Sequence, residues 1–172
     1  GEAAPLPPAG RVYLPTASYE EMEEWALPAP AGVEYAETRR RLDAARDPAV
    51  RFLRGGFWRQ FLVKYPEVNT MHKKMLRISE KVWRMAPGRR RQRALDELWQ
   101  GQCNCPYWHG VFGGVYLPHI RRANFAHLIA AEALADGTRR PRGRMASAAV
   151  VDADLDADGR REVELSTPSK RS

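Results

Sequence analysis

The sequence lacks several motifs that would identify a site directly. It contains no G-x-x-x-x-G-K-[ST] phosphate-binding loop, no G-x-G-x-x-G and no G-x-S-x-G. No apolar run approaches the roughly 18–20 residues of a membrane-spanning helix. The first residues do not combine a charged start with an apolar core, as a signal peptide would. The chain has 2 cysteines. Few cysteines without a secretory signal are typical of a reducing compartment, so we expect a cytoplasmic protein that contacts no membrane.

The composition is that of a globular protein. Of the 172 residues, 44% are hydrophobic and 28% are charged, which excludes a disordered chain and allows one domain or slightly more. The sequence begins without a methionine, and we expect it to be a fragment of a longer protein.

The net charge of +7 leaves two interpretations open. A helical nucleic-acid-binding module is one, because basic surfaces bind phosphates. The basic residues are, however, spread over separate segments, at 39–41, 89–93, 139–144 and 170–171. This spacing favours a solvated surface and no nucleic-acid partner.

Hydrophobic spacing predicts a mainly α fold. We expect helices over about 33–46, 69–85, 89–100 and 118–135, shorter helical segments near 18–27 and 58–65, and a linker at 28–32. Together they would form a bundle-like subdomain of four or five helices. The expected core faces are Met71, Met75, Ile78, Val82 and Met85 in one helix; Ala94, Leu95, Leu98 and Trp99 in the next; and Ile120, Ala123, His127, Ala131 and Leu134 in the last.

The C-terminal residues alternate like a strand, a turn and a strand, with Asp158-Gly159 as the hairpin signal. We expect an incomplete β-hairpin that opens a β-domain. The alternating aspartates before Gly159 resemble a calcium loop, but Leu165 stands where an EF-hand requires a bidentate glutamate. We therefore predict no metal there, with weak calcium binding as the open alternative.

Residues 101–122 are the candidate site, because their order suits no ordinary helix or strand. Two cysteines stand one residue apart, Trp108-His109 follows, and Gly113-Gly114 interrupts the chain before Pro118, which suits the first turn of a helix.

Several chemistries are open for this stretch. Zinc would use Cys103, Cys105 and a histidine in a zinc-dependent interaction domain, but structural zinc sites favour paired C-x2–4-C knuckles. A cysteine–histidine dyad has nothing to fix its geometry. A carbohydrate site uses an aromatic face with polar neighbours, which Trp108-His109 offers with Asn104, Gln102 and Tyr107. A packed interdomain loop is the purely structural alternative.

The sequence also resembles a known family. Residues 102–121 (QCNCPYWHGVFGGVYLPHIR) are similar to the fifth conserved motif of glycoside hydrolase family 57, which contains 4-α-glucanotransferases and α-amylase-like enzymes. Residues 10–28, 54–82 and 150–165 resemble, in turn, the exit from that family's catalytic barrel, the helices that follow it and the start of its C-terminal β-sandwich.

The resemblance implies a retaining enzyme acting on α-1,4-glucosidic bonds, with a glutamate nucleophile and an aspartate acid on a seven-stranded β/α barrel. Those strands would precede this chain, so it would hold no catalytic residue, require no cofactor and be inactive alone. Its partners would be an α-1,4-glucan or maltooligosaccharide, the upstream barrel and the downstream sandwich. Residues 1–15 would end the barrel, 16–137 would complete the cleft, 138–147 would be a linker and 148–172 would start the sandwich.

The resemblance also carries substrate contacts to this chain. Trp108 matches a tryptophan expected to stack on a glucose ring, with His109 and Asn104 in the same wall. Cys105 departs from the pattern, because archaeal glucanotransferases of the family have an aspartate there. A thiol accepts hydroxyl hydrogen bonds poorly, which implies an altered subsite.

Overall fold

The computed structural model describes residues 19–108, 112–137 and 149–166, and there the fold is mainly helical with one antiparallel hairpin, as predicted. The α-helices are α1 (Glu20–Trp25), α2 (Ala29–Ala44), α3 (Trp58–Lys64), α4 (Pro66–Trp83), α5 (Arg89–Gly101) and α6 (Pro118–Asp136). Short 3₁₀ turns cover Pro48–Phe52, Cys105–Tyr107 and Gly114–Tyr116, and the strands are β1 (Ala149–Ala153) and β2 (Glu162–Ser166). The chain divides into two compact units, which meet in sequence between Lys64 and Tyr65.

The first unit contains α1, α2 and α3, and its buried residues include Ala26, Tyr35, Phe61 and Leu62. The Tyr35 hydroxyl donates to the Glu23 carboxylate at 2.6 Å. The chain passes close to α1 at Gly55, where a Cβ would lie 2.5 Å from the Glu23 carbonyl oxygen. Glycine at this position is therefore required by the close approach of two backbones.

Two helices begin earlier than the sequence predicts. The expected linker at 28–32 is wrong, because α2 starts at Ala29 with Pro30 in its first turn. Likewise α4 starts at Pro66 rather than near residue 69. A proline in the first turn costs no hydrogen bond, since the N–H groups there have no partner within the helix.

The second unit is built on α4, α5 and α6. Three positions of the predicted core face of α4 are confirmed, since Met71, Ile78 and Val82 are at 0% exposure. Met75 is half-buried, and Met85, at 8% exposure, is buried just after the helix ends. In α5 the core residues are Ala94, Leu95 and Leu98, whereas Trp99 is 52% exposed, contrary to expectation. Trp99 follows Leu98 by one residue, and the helical rotation between them turns it out of the interface.

The buried face of α6 is also displaced from the predicted one. Its buried residues are Asn124, Leu128, Ala131 and Ala135, which lie at helical spacing i, i+4, i+7 and i+11. Among the five predicted core positions, Ala131 is buried, while Ile120, His127 and Leu134 are half-buried and Ala123 is exposed. The buried face therefore begins with a polar residue, Asn124, which a count of apolar residues passes over.

The hairpin pairs β1 and β2 with Val150 opposite Leu165 and Asp152 opposite Val163. It is joined to α4 by an ion pair of 3.1 Å between Arg77 and Glu164, and by a 2.7 Å hydrogen bond from the Asn69 amide to the Asp156 carbonyl oxygen. Among the residues that the structure describes, no helix combines the length and apolar character needed to cross a membrane.

The predicted domain limits stay predictions. The limit after residue 15 and the one after residue 147 fall outside the described residues, and the described part ends at Gly137 where the linker was expected. The boundary between the two compact units lies inside the expected helical subdomain, 16–137.

Candidate functional site

The candidate site begins where α5 meets α6. Helix α5 ends at Gly101, and a Cβ there would lie 2.7 Å from the Leu128 side chain of α6. Glycine thus lets the two helices approach closely at the point where the chain enters the site. From Gln102 onward the chain leaves the helix and turns across α6.

A buried polar cluster anchors the first half of the site. The Tyr107 hydroxyl donates to the Gly101 carbonyl oxygen at 2.7 Å, and the Asn124 amide donates to the Cys103 carbonyl oxygen at 2.9 Å. Burial raises the pKa of Tyr107 to about 12, although a hydrogen bond with Asn124 opposes the rise. The phenol is therefore protonated at neutral pH and remains a donor to Gly101.

Trp108 follows this cluster in an extended conformation and is half-buried. Its N–H donates to the Cys105 carbonyl oxygen at 3.3 Å, and its carbonyl oxygen accepts from the Val115 N–H at 2.8 Å. Gly114 has a φ of +45°, and a Cβ there would lie 2.1 Å from the Trp108 carbonyl oxygen. At the predicted glycine break, the backbone of Gly114 therefore packs directly against the backbone of Trp108.

The second half of the site is fixed to α4. The hydroxyls of Tyr65 and Tyr116 are hydrogen-bonded, and their rings pack edge to face at 5.8 Å. Burial, followed by this hydrogen bond, raises the pKa of Tyr116 to about 12. From α6, the Arg121 guanidinium donates to the Val115 carbonyl oxygen and pairs with Glu67 at 2.8 Å.

The structure separates the predicted site residues by exposure. Asn104 and Cys105 are exposed and Trp108 is half-buried, whereas Tyr107 is 6% exposed with its hydroxyl already bonded within the chain. His109 lies outside the described residues. Asn104, Cys105 and Trp108 therefore form the accessible edge, and Tyr107 lies behind it.

A histidine of α4 also lies behind this edge. The rings of His72 and Tyr107 meet edge to face at 6.3 Å. Burial, followed by the positive charge of Lys73, lowers the pKa of His72, which favours the neutral imidazole against the phenol ring.

Comparisons with known proteins show which proteins this chain is similar to. A family described as "Alpha-amylase/4-alpha-glucanotransferase, middle domain" matches residues 56–135. The chain is 49% identical over 127 residues, 73% of its length, to "Alpha-amylase 1" of Dictyoglomus thermophilum, of which it covers 18%. It is 43% identical over 159 residues, 91% of its length, to the 4-alpha-glucanotransferase of Thermococcus kodakarensis, of which it covers 22%. The crystal structure of the 4-alpha-glucanotransferase of Thermococcus litoralis matches with a TM-score of 0.69 and 40% identity, over 88% of this chain and 22% of that one. These similarities support the resemblance of the chain to glycoside hydrolase family 57.

The chain spans about a fifth of the length of the curated relatives it matches, between 18% and 23%. The family match includes the candidate site and the three helices that support it, α4, α5 and α6.

The two alternative chemistries gain no support from this geometry. Cys103 and Cys105 are free and exposed, and the group of potential metal ligands found among the described residues consists of the carboxylates of Asp154, Asp156, Asp158 and Glu162. The nucleic-acid alternative requires one continuous basic face. Arginines along the described chain instead pair with carboxylates, namely Arg39, Arg77, Arg84, Arg121 and Arg161.

Sequence reasoning missed the residues that hold the site. Asn124 of α6 and Tyr65, the residue before α4, contact the stretch from outside it, with Tyr65 and Tyr116 51 residues apart. Arg121 lies within the stretch but was not singled out as a site residue. The sequence did contain a signal for Asn124. This residue precedes Leu128 by four positions and Ala131 by seven, so it lies on their helical face, and a buried asparagine there needs hydrogen-bond partners.

Proposed function

We propose that residues 101–122 form one wall of an α-glucan-binding cleft. The complete protein would be a retaining 4-α-glucanotransferase or α-amylase that acts on α-1,4-glucosidic bonds. The observation that carries this proposal is Trp108, a half-buried residue whose backbone is held by hydrogen bonds and which follows the exposed Asn104 and Cys105. The similarity to proteins named 4-alpha-glucanotransferase and alpha-amylase supports the choice of ligand.

The chemistry of the edge suits a sugar. An indole face covers the apolar side of a glucose ring, while amide groups bond the ring hydroxyls. Trp108 would stack on the ring, and the exposed Asn104 amide would bond a hydroxyl. His109 belongs to the same wall by prediction. Tyr107 would act from behind, since its hydroxyl is bonded to Gly101.

Cys105 would make this subsite different from one that carries a carboxylate. Its thiol is exposed at the edge, and sulfur is a weak hydrogen-bond acceptor. We therefore propose that the hydroxyl nearest Cys105 is held less strongly than an aspartate would hold it. The balance between transfer and hydrolysis depends on how firmly such sites hold the acceptor sugar.

The reacting carboxylates would come from the part of the protein before this chain, and the C-terminal hairpin would continue into a β-sandwich. A retaining mechanism needs a nucleophile and an acid on opposite sides of the scissile bond. Residues 101–122 contain no aspartate or glutamate, so this wall supplies neither the nucleophile nor the acid. The 172-residue chain by itself should therefore bind glucan weakly and not cleave it.

The test is Trp108→Ala in the full-length protein, with maltoheptaose as substrate. We expect kcat/KM to fall about tenfold or more, equivalent to ~1.4 kcal/mol of lost transition-state binding. Trp108→Phe, which keeps an aromatic face, should retain more activity than the alanine variant. Trp99→Ala, which removes a 52% exposed tryptophan from α5, is the matched control. Wild-type kinetics in Trp108→Ala would refute the proposal.

A further inference from the structure

We propose that Arg121 and Asn124, which lie on one face of α6 within a single turn, are positioning residues that hold Trp108 in the wall from behind. This inference rests on the proposed function, because it assigns the two side chains a purpose only if Trp108 contacts the glucan. Each of them bonds one flank of Trp108, and neither lies at the accessible edge.

Asn124 holds the flank before Trp108. It is 3% exposed, in a helix face otherwise made of Leu128, Ala131 and Ala135. A buried amide in such a face is costly unless its hydrogen bonds are made. Its amide donates to the Cys103 carbonyl oxygen at 2.9 Å, and it also acts on the Tyr107 hydroxyl, whose pKa it lowers. Both partners belong to the site stretch, so the buried amide serves the site.

Arg121 holds the flank after Trp108. Its guanidinium donates through Nη1 to the Val115 carbonyl oxygen and through Nε to Glu67 at 2.8 Å. The same Val115 donates its N–H to the Trp108 carbonyl oxygen at 2.8 Å. A continuous series of hydrogen bonds thus runs from α4 through Arg121 and Val115 to the backbone of Trp108. The Arg121 side chain is 23% exposed, so solvent competes little for these bonds.

The two anchors leave Trp108 between fixed points. The segments that carry it are a 3₁₀ turn of three residues, Cys105–Tyr107, and a turn through Gly113 and Gly114. Neither has a long helix ladder of its own to fix it, so bonds from α6 must supply the rigidity. Stacking residues act only when they are held close to the productive geometry.

The test is a double-mutant cycle in the full-length protein, measured as kcat/KM on maltoheptaose. Arg121→Met should lower kcat/KM on the order of fivefold to tenfold in the wild-type background, and should cause almost no further loss in Trp108→Ala. Arg93→Met is the matched control, because it removes the same charge from an exposed position of α5 outside the proposed wall and should leave kcat/KM unchanged. Equal losses in both backgrounds would mean that Arg121 acts through general stability, and would overturn the proposal.

The Asn124 side is tested with Asn124→Ala, which removes the amide that donates to Cys103, and with Tyr107→Phe, which removes the hydroxyl that donates to Gly101 and keeps the ring. The same pattern is expected, a loss in the wild-type background that disappears in Trp108→Ala; a loss that persists there would overturn the assignment of this flank. The two proposals fail separately. If Trp108→Ala itself has wild-type kinetics, the glucan-binding wall and the positioning role both fail. If Trp108→Ala is impaired but shows no coupling to Arg121, Asn124 or Tyr107, the positioning role alone fails.

Discussion

At the scale of single residues, Gly114 limits the conformation of the whole site. Its φ of +45° is one that residues with a side chain rarely adopt. It also lies against the Trp108 carbonyl oxygen, with 2.1 Å between that oxygen and the position of a Cβ. Backbone conformation and close approach therefore both require glycine, and they do so beside the residue proposed to bind glucan.

Replacing this glycine should be costly. Gly114→Ala should reduce the free energy of unfolding by more than about 3 kcal/mol, because a strained φ costs roughly 1–3 kcal/mol and the overlap adds to it. Gly88→Ala is the control, since Gly88 also has a positive φ, +151°, but nothing lies within 4 Å of its Cβ position. Urea denaturation of the two variants measures the difference. Equal destabilisation would show that the turn can move away from Trp108.

Some of these residues could be predicted from sequence and some could not. The roles of Gly113-Gly114 and Pro118 can be predicted from sequence, because glycine suits a positive φ and proline suits the first turn of a helix. The roles of Asn124 and Arg121 cannot, because their importance comes from partners far along the chain, and hydrophobic periodicity gives a polar residue no weight. The sequence therefore predicts the residues of the accessible edge, whereas the residues behind that edge are identified only in the folded structure.

At the scale of elements, Glu132 joins α6 to α4. Its carboxylate lies between Lys74 at 2.7 Å and Lys81 at 2.6 Å, and its side chain is 18% exposed. Burial alone would raise the pKa of Glu132, but hydrogen bonds from the two lysines outweigh burial and bring the pKa below its ordinary value of 4.5. The ionised form is thus favoured by folding.

Glu132→Gln should lower the free energy of unfolding by about 1–3 kcal/mol at pH 7, because partly buried Lys74 loses its carboxylate partner and Lys81 keeps only Asp136, at 3.5 Å. Glu80→Gln is the matched control, since Glu80 pairs with Arg84 on the surface, where the two side chains are 60% and 75% exposed; it should cost less than about 1 kcal/mol. Thermal or urea unfolding of both variants makes the comparison.

The same variant has a defined pH dependence. A carboxylate whose pKa is lowered by folding contributes stability above its unfolded pKa, near 4.5, and that contribution is lost as the pH falls through the lower folded value. The difference between wild type and Glu132→Gln should therefore be constant near neutral pH and shrink below about pH 4.5. A difference that grew on acidification would contradict the ion-pair account.

The sequence predicts the core face better for some helices than for others. In α4 the apolar positions are separated by charged residues, so the buried face at Met71, Ile78 and Val82 is unambiguous. In α6 apolar residues and alanines surround the helix, and several rotations place equal numbers of them inside. Packing against α5, where Leu128 lies at Gly101, selects one rotation, and periodicity carries no information on that partner.

At the scale of the whole molecule, the hairpin leaves an apolar face exposed. Two strands alone make a marginal sheet, and here Glu164 turns one face toward Arg77 of α4. The opposite face carries Val150, Val163 and Leu165, which are 62%, 62% and 67% exposed. Such a face fits the expected opening of a β-domain, in a chain that spans about a fifth of its relatives.

The isolated 172-residue chain should therefore associate through this face. Val150 and Leu165 are directly opposite each other in the hairpin, and an exposed apolar strand pair is a ready surface for pairing with another copy. The double variant Val150→Thr/Leu165→Thr replaces two of the three exposed apolar side chains of this face by threonine, which strands favour. It should shift the chain toward monomer in light scattering across a concentration series. Val151→Thr is the control, because Val151 lies on the face that carries Glu164 and is less exposed, at 44%. If the double variant associates as strongly as the parent chain, the association does not occur through the face that carries Val150 and Leu165.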